Sequence, residues 1–286
     1  MIEVGQDGAF SVNCVGLERL PFPLSFSAVE AGGSWLVSGA AARAAELVDL
    51  LVRTANETIL VAELATNSFM DEEFRQWPMS RIAADQGVAY EVHRGGAPDD
   101  DEEVLVLDRD SLPRFLADGW SPYELSLLDL PTPDGIDDAV LLLGAAHLDE
   151  PVLPCFEGSR LRFSGHDDCY VAIESTDPAL PGAVFGRLLA LLAGAELADG
   201  RPDPVRVPEP DPGAMAELIA ASAHWIGGIA AASTDSVTIG LSAIPACWRL
   251  GQQPPPTADH LATLDLPTRT WTLAPAPAPA SAPDRA

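Results

Sequence analysis

The sequence predicts an α+β (mixed α/β) protein: hairpin–helix units around a mainly antiparallel sheet, then a small C-terminal helix-plus-strands unit after a Pro-rich spacer. Three observations carry that prediction. Short runs such as LSFSAV (Leu24–Val29) and SVTIGLSAI (Ser236–Ile244) alternate with the two-residue period of strands. Longer runs such as AARAAELVDLLVRTA (41–55) and LPGAVFGRLLALLAGAELA (180–198) combine strong helix formers with broad apolar faces. Between the latter run and the C-terminal elements, RPDPVRVPEPDP (Arg201–Pro212) places five prolines in twelve residues, which leaves an extended segment without helix or sheet.

The elements follow in order. LSFSAV, the EAGGS turn and WLVSG form a first hairpin, and the helix over 41–55 follows with Leu47, Val48, Leu50 and Leu51 as its apolar face. TILVAELA (58–65) is continuous enough for a largely buried strand. MDEEFRQWPMSRIAADQG is helical at both ends, divided by Pro78. VAYEVHR and EEVLVLDR are strands around the acidic GGAPDDD loop. A short helix near Ser111–Asp118 precedes the strand YELSLLDL (123–130). A helix then runs from Gly135 to Leu148 with Asp134 as N-cap. RLRFSGHDDCYVAIES (160–175) is a second hairpin, with GHDD as its four-residue connection, and the 180–198 helix follows it. Beyond the spacer come a helix over 213–232 and the strands SVTIGLSAI, ACWRL and TRTWTLA.

The domain reading is therefore a main body at 1–200, a spacer at 201–212, a small α/β unit at 213–273 and an Ala/Pro tail at 274–286 too poor in apolar residues to pack. Residues 24–51 and 161–192 both read hairpin, short gap, helix, so the main body divides into two candidate hairpin–helix halves.

Composition narrows the function. There are 43 acidic residues against 16 basic ones, a formal net charge of −27, and every basic residue except histidine is arginine. A chain without lysine has no Schiff-base, phosphate-loop or lysine general-base chemistry. The acidity argues against nucleic-acid partners and anionic membrane surfaces. It favours another protein, basic in character, as partner, with solubility as the plainer role of the charge. Cys14, Cys155, Cys169 and Cys247 are widely spaced with no C-x-x-C, and the first residues lack a secretory pattern. That suggests a cytoplasmic protein with reduced thiols, each a small buried hydrophobe.

Motifs for chemistry are sparse. No G-x-S-x-G, S-x-x-K, G-x-x-x-x-G-K or G-x-G-x-x-G after a strand occurs, and no cofactor or metal site is expected. The candidate catalytic cluster is His166, Asp167 and Asp168, with Cys169 beside it. Its residue types suit a metal-dependent hydrolase, with Cys155, Asp149 and Glu150 as further groups the fold would have to bring near. Its position at a hairpin tip speaks against preorganisation, and His93, His147, His224 and His260 show no matching pair. His147 and Glu150 lie at i, i+3 but lack a facing pair. DDDEE (Asp99–Glu103) reads as a solvated loop or an acidic docking patch. Met215, Leu218, Ile219, Trp225, Ile226 and Ile229 read as the core or docking stripe of the 213–232 helix. The expected function is a non-catalytic acidic protein acting by protein–protein interaction, as an adaptor, inhibitor or assembly subunit. The alternatives are the hydrolase just described and a DNA-mimicking acidic inhibitor.

Overall fold

The computed structural model describes residues 2–4, 10–12, 24–40, 44–63, 78–94, 103–117, 124–132, 134–145, 151–166, 170–198, 207–244 and 258–277. The first half of the chain holds β1 (Ile2–Val4), β2 (Phe10–Val12), β3 (Leu24–Ala31), β4 (Ser34–Ala40), α1 (Ala44–Thr54), β5 (Thr58–Glu63), α2 (Met79–Asp85), β6 (Tyr90–Arg94), β7 (Glu103–Asp108) and α3 (Leu112–Phe115). Then come β8 (Glu124–Leu130), α4 (Ile136–Ala145), β9 (Leu161–His166), β10 (Tyr170–Ser175) and α5 (Leu180–Ala198). The last elements are α6 (Pro212–Ala221), β11 (His224–Ala232), β12 (Ser236–Ala243), β13 (His260–Asp265) and β14 (Thr270–Pro275). The architecture is α+β with mainly antiparallel sheet, as the alternation predicts.

Contacts divide the chain at different places from composition. They group Ala28–Val184 into a central unit, and Met1–Ser27 with Phe185–Ala286 into a terminal unit. In the central unit the strand order is β3-β4-β10-β9-β8-β5-β7-β6. Gly32 and Gly33, both at positive φ (63° and 88°), turn the β3–β4 hairpin. Two successive positive φ values match the twist of the flanking strands, and glycine adopts them without a Cβ clash.

Register sorts the side chains of this sheet onto two faces. Ile173 pairs with Val37 and Phe163, Phe163 with Leu127, Leu127 with Val61, and Val61 with Leu105. All six are no more than 2 % exposed. The other face carries Leu60, Leu128 and Leu130, packed with Ala139 of α4 and Leu153, and edged by Ile136, Val140 and Phe156. With both faces covered, the alternation of a half-wet sheet is lost and strands such as TILVAE read as continuous apolar runs. α1 packs on β9 and α3 through the side that buries Leu47, Leu50 and Leu51. α2 lacks a side-chain cap at Pro78, and Glu103, last residue of the DDDEE run, serves instead by accepting from the Ser80 N–H and Oγ–H at 3.0 Å each.

The terminal unit is built on a meander in the order β14-β13-β12-β11, with Leu24–Phe26 of β3 pairing against Ile226–His224. Here the predicted 213–232 helix is corrected. It ends at Ala221, Ser222 is fully extended, and Trp225, Ile226 and Ile229 belong to β11. Two adjacent glycines and β-branched residues weaken helix there, and ladder pairing with β12 overrides the helix propensity of the alanines. The register of β11 shifts between Ile226 and Ile229, at those glycines. β13 was not expected; its Ala262 and Leu264 are buried while their neighbours are partly exposed. Ala274 and Pro275, the first residues of the expected Ala/Pro tail, close β14 opposite Leu261 and His260, and 278–286 lie outside the described residues. Residues 207–211 have neither helix nor sheet, as expected, but they are anchored: Val207 is 1 % exposed and the Trp271 Nε1–H donates to the Pro208 carbonyl at 2.7 Å. The expected strand ACWRL and the N-terminal half of the Pro78 helix lie outside the described residues.

Candidate functional site

The hairpin that carries the His166 cluster forms as expected, β9 against β10, with one correction to its tip. Gly165 and His166 are the last two residues of β9, not part of the connection. Gly165 pairs with Val171 on one side and Leu125 on the other. The Phe163 ring occupies the space above it: a Cβ on Gly165 would lie 2.7 Å from two ring carbons. Glycine therefore serves an aromatic side chain here and not a turn. His166 lies opposite Glu124 in the β8–β9 ladder. Asp167, Asp168, Cys169, His147, Asp149 and Glu150 lie outside the described residues. Among the described residues, no group of three His, Cys, Asp or Glu side chains is placed to hold a metal ion. Cys155 corrects the expectation of a buried thiol: it is exposed and free, at the end of the short 3-10 turn Leu153–Cys155.

The same hairpin carries a constellation that sequence reading missed. Arg162 and Glu174 are direct cross-strand partners, each 3 % exposed. One Glu174 carboxylate oxygen, Oε1, accepts from Ser34 Oγ–H at 2.7 Å, and Oε2 accepts from the Val152 N–H at 2.6 Å. The Leu153 N–H is shared between both oxygens at 3.1 Å. Burial pulls the Arg162 guanidinium below its ordinary value, and the Glu174 charge pushes it back up. One residue pair along from Glu174–Arg162 on the same face, Ser164 shares a 3.2 Å buried hydroxyl contact with Ser126 of β8. A polar seam thus crosses the apolar sheet from β4 to β8.

Asp129, 1 % exposed at the end of β8, does similar work. Its Oδ1 accepts from the Arg160 and Leu161 N–H groups at 2.8 Å each, and its Oδ2 from the Asn56 N–H at 2.7 Å. Desolvation raises its pKa, against the lowering effect of those three bonds and of the Arg160 charge. A general base must offer a free lone pair to a substrate proton. The carboxylates of Glu174 and Asp129 instead face backbone N–H groups of chain segments that have left regular structure. They hold loops to the sheet.

In the terminal unit, Arg187 is 1 % exposed at the middle of α5 and its Nε donates to the Glu209 carboxylate. α5 is long and apolar enough to cross a membrane by composition, but 89 % of the qualifying window is buried within the protein. Buried His224 and half-buried His260 stand with ring centroids 6.4 Å apart. No family, no curated protein and no solved structure matches this chain.

Proposed function

We propose that this is a non-catalytic protein that acts by binding another protein of basic character. The observation that carries the reading is β6. It is the terminal strand of the central sheet and, among the described residues, pairs with β7 alone. Tyr90 and Val92 lie on one face of it, 36 % and 39 % exposed, with exposed Glu91 between them. An edge strand with an apolar pair is a template for an added strand, where main-chain bonds supply affinity and side-chain pockets supply selectivity. The partner we assign is an extended segment with alternating basic and apolar residues. The formal charge of −27 would speed its encounter and make binding salt-sensitive.

The test is fluorescence anisotropy of the full chain with a labelled peptide of alternating Arg and Val. Controls are a Glu/Val peptide and a proline-interrupted Arg/Val peptide. Binding of the first alone, weakened between about 20 mM and about 300 mM salt and lost in the Tyr90→Ser/Val92→Ser variant, supports the reading. No binding, or binding that ignores the β6 substitutions, overturns it.

A further inference from the structure

His224 and His260 take no part in the interaction reading, and their setting is unusual. His224 opens β11 and His260 opens β13. His224 pairs with Ala243 and His260 with Leu241 on the intervening β12, so both rings rise from one face of the sheet, two residues out of step. His224 is 2 % exposed, and the rings meet edge to face at 72°. On the other side of His224 lies its β3 partner Phe26, and the Phe185 ring of α5 stands 4.8 Å from Phe26 and 6.3 Å from His224. The Nδ1 atom of each histidine is buried, and among the described residues neither has a hydrogen-bond partner.

The groups facing this pair are few. β3 and α5 present aromatic carbon, β12 presents Leu241 and Ala243, and β14 presents Pro275 opposite His260. Asp259 is the acid that acts on His224, and its Oδ2 already accepts from the Ala243 N–H at 2.8 Å. A hydrogen bond to the Ser222 backbone is the remaining polar contact acting on His224. A neutral imidazole bears this setting at the cost of an unpaired ring nitrogen, which is far less than the cost of a buried charge. A protonated one does not: it brings a full charge and a new N–H donor into aromatic packing, beside a second ring that would gain the same charge.

We propose that His224, packed against His260, is an acid-operated latch on the terminal unit: neutral, it keeps the β11–β13 face closed, and taking up a solvent proton on its ring opens it.

Hydrogen exchange of the full chain, read by mass spectrometry and corrected for intrinsic rates, tests this between about pH 7.5 and about pH 5. Peptides covering β11 and β13 are expected to lose protection on acidification by up to about tenfold per pH unit, the limit for one linked proton. Peptides covering β5 and β8 are expected to hold theirs. The His224→Phe/His260→Phe variant is expected to remove the response. Loss of protection common to both units, or a response that survives in the double variant, overturns the proposal. Should that variant fail to fold, NMR titration of the histidine Cε1–H signals in the unsubstituted chain decides. A midpoint for His224 below the ordinary histidine value, coinciding with the loss of protection, supports the latch; an ordinary His224 midpoint overturns it.

Discussion

Glu174→Gln separates the two duties of the buried glutamate, charge partner and backbone acceptor. The side chain keeps its shape, and its amide has one orientation that preserves the hydrogen bonds. The new NH₂ takes the place of Oε1, Ser34 Oγ reverses to accept from it, and the remaining oxygen still receives the Val152 and Leu153 N–H groups. What is lost is the negative charge opposite Arg162, with both residues 3 % exposed. Removing one partner of a buried ion pair costs about 3–5 kcal/mol. Arg162 feels the Glu174 charge without a contact ion pair between them, and the hydrogen bonds survive, so a cost below that figure, about 1–2 kcal/mol, is expected for Gln. Glu174→Ala also strands the Val152 and Leu153 N–H donors, while Ser34 Oγ keeps the Ala31 carbonyl as acceptor at 3.2 Å, and each buried unsatisfied donor costs about 1–3 kcal/mol more. Arg162→Met/Glu174→Gln removes both charges together, and about half of the Gln cost should return.

Urea unfolding followed by far-UV circular dichroism measures the parent, these three variants and Arg162→Met alone, with the slope checked for a change in cooperativity. A Glu174→Gln protein within about 0.5 kcal/mol of the parent would refute the charge argument, since exposed-site substitutions have effects of that size. An alanine variant no worse than the glutamine one would refute the loop-holding role. A double variant that simply adds the two single losses would show that Arg162 and Glu174 do not act as a pair.

Asp129→Asn is expected to destabilise by about 1–3 kcal/mol despite relieving a desolvated carboxyl, because both oxygens accept N–H bonds and an amide nitrogen at either site faces a donor; the same urea assay reads it, and a stabilised variant would contradict it. Asp211→Ala removes the side chain that accepts from the Ala214 N–H at the start of α6, at a cost of about 1 kcal/mol, and exchange of the first-turn amides should rise. Gly33→Ala meets no neighbouring atom, so its cost is backbone strain alone at φ 88°, about 1–2 kcal/mol, and Gly33→Asn should cost less. The pKa of His224 is lowered chiefly by burial, so the folded state binds its proton less readily than the unfolded chain. Stability is therefore full above the ordinary histidine value and falls as pH drops through it; a urea midpoint flat between about pH 7.5 and about pH 5 would contradict this.

Much of the sheet was legible because burial and alternation leave separable marks. Leu161 and Phe163 before the tip, with Val171 and Ile173 after it, fix the β9–β10 hairpin, and α5 begins and ends where its Ala/Leu run does. Even the Arg162–Glu174 pairing was implicit, since those positions lie equally far from the tip and on one face. Its partners were not legible: Ser34 sits on the first hairpin and Val152 in an irregular segment, and no local pattern links them to Glu174. The same holds for His224 and His260, which meet only through the register of three strands. β11 was misread because an alanine-rich run favours helix when considered locally, while its pairing with β12 is a tertiary fact.

The acidity itself takes on a second meaning once the carboxylates are located. Read as composition, an excess of Asp and Glu speaks of solubility and of a basic partner. Yet Asp129, Glu174, Glu103, Asp211, Asp259 and Asp265 all accept backbone N–H bonds where the chain enters or leaves regular structure. Backbone donors at such ends need acceptors, and a carboxylate is the strongest one available. The two uses differ in how they answer to salt. Asp129 and Glu174 sit out of reach of counterions, so the loops they hold should be indifferent to ionic strength. Exposed acids such as Glu91 are screened within about 10 Å at 0.1 M salt. Raising salt should therefore weaken partner binding at β6 while leaving the urea midpoint unchanged or higher, as repulsion within a chain of −27 is relieved. A midpoint that fell with salt would mean that exposed charge pairs, and not the buried carboxylates, hold the fold together.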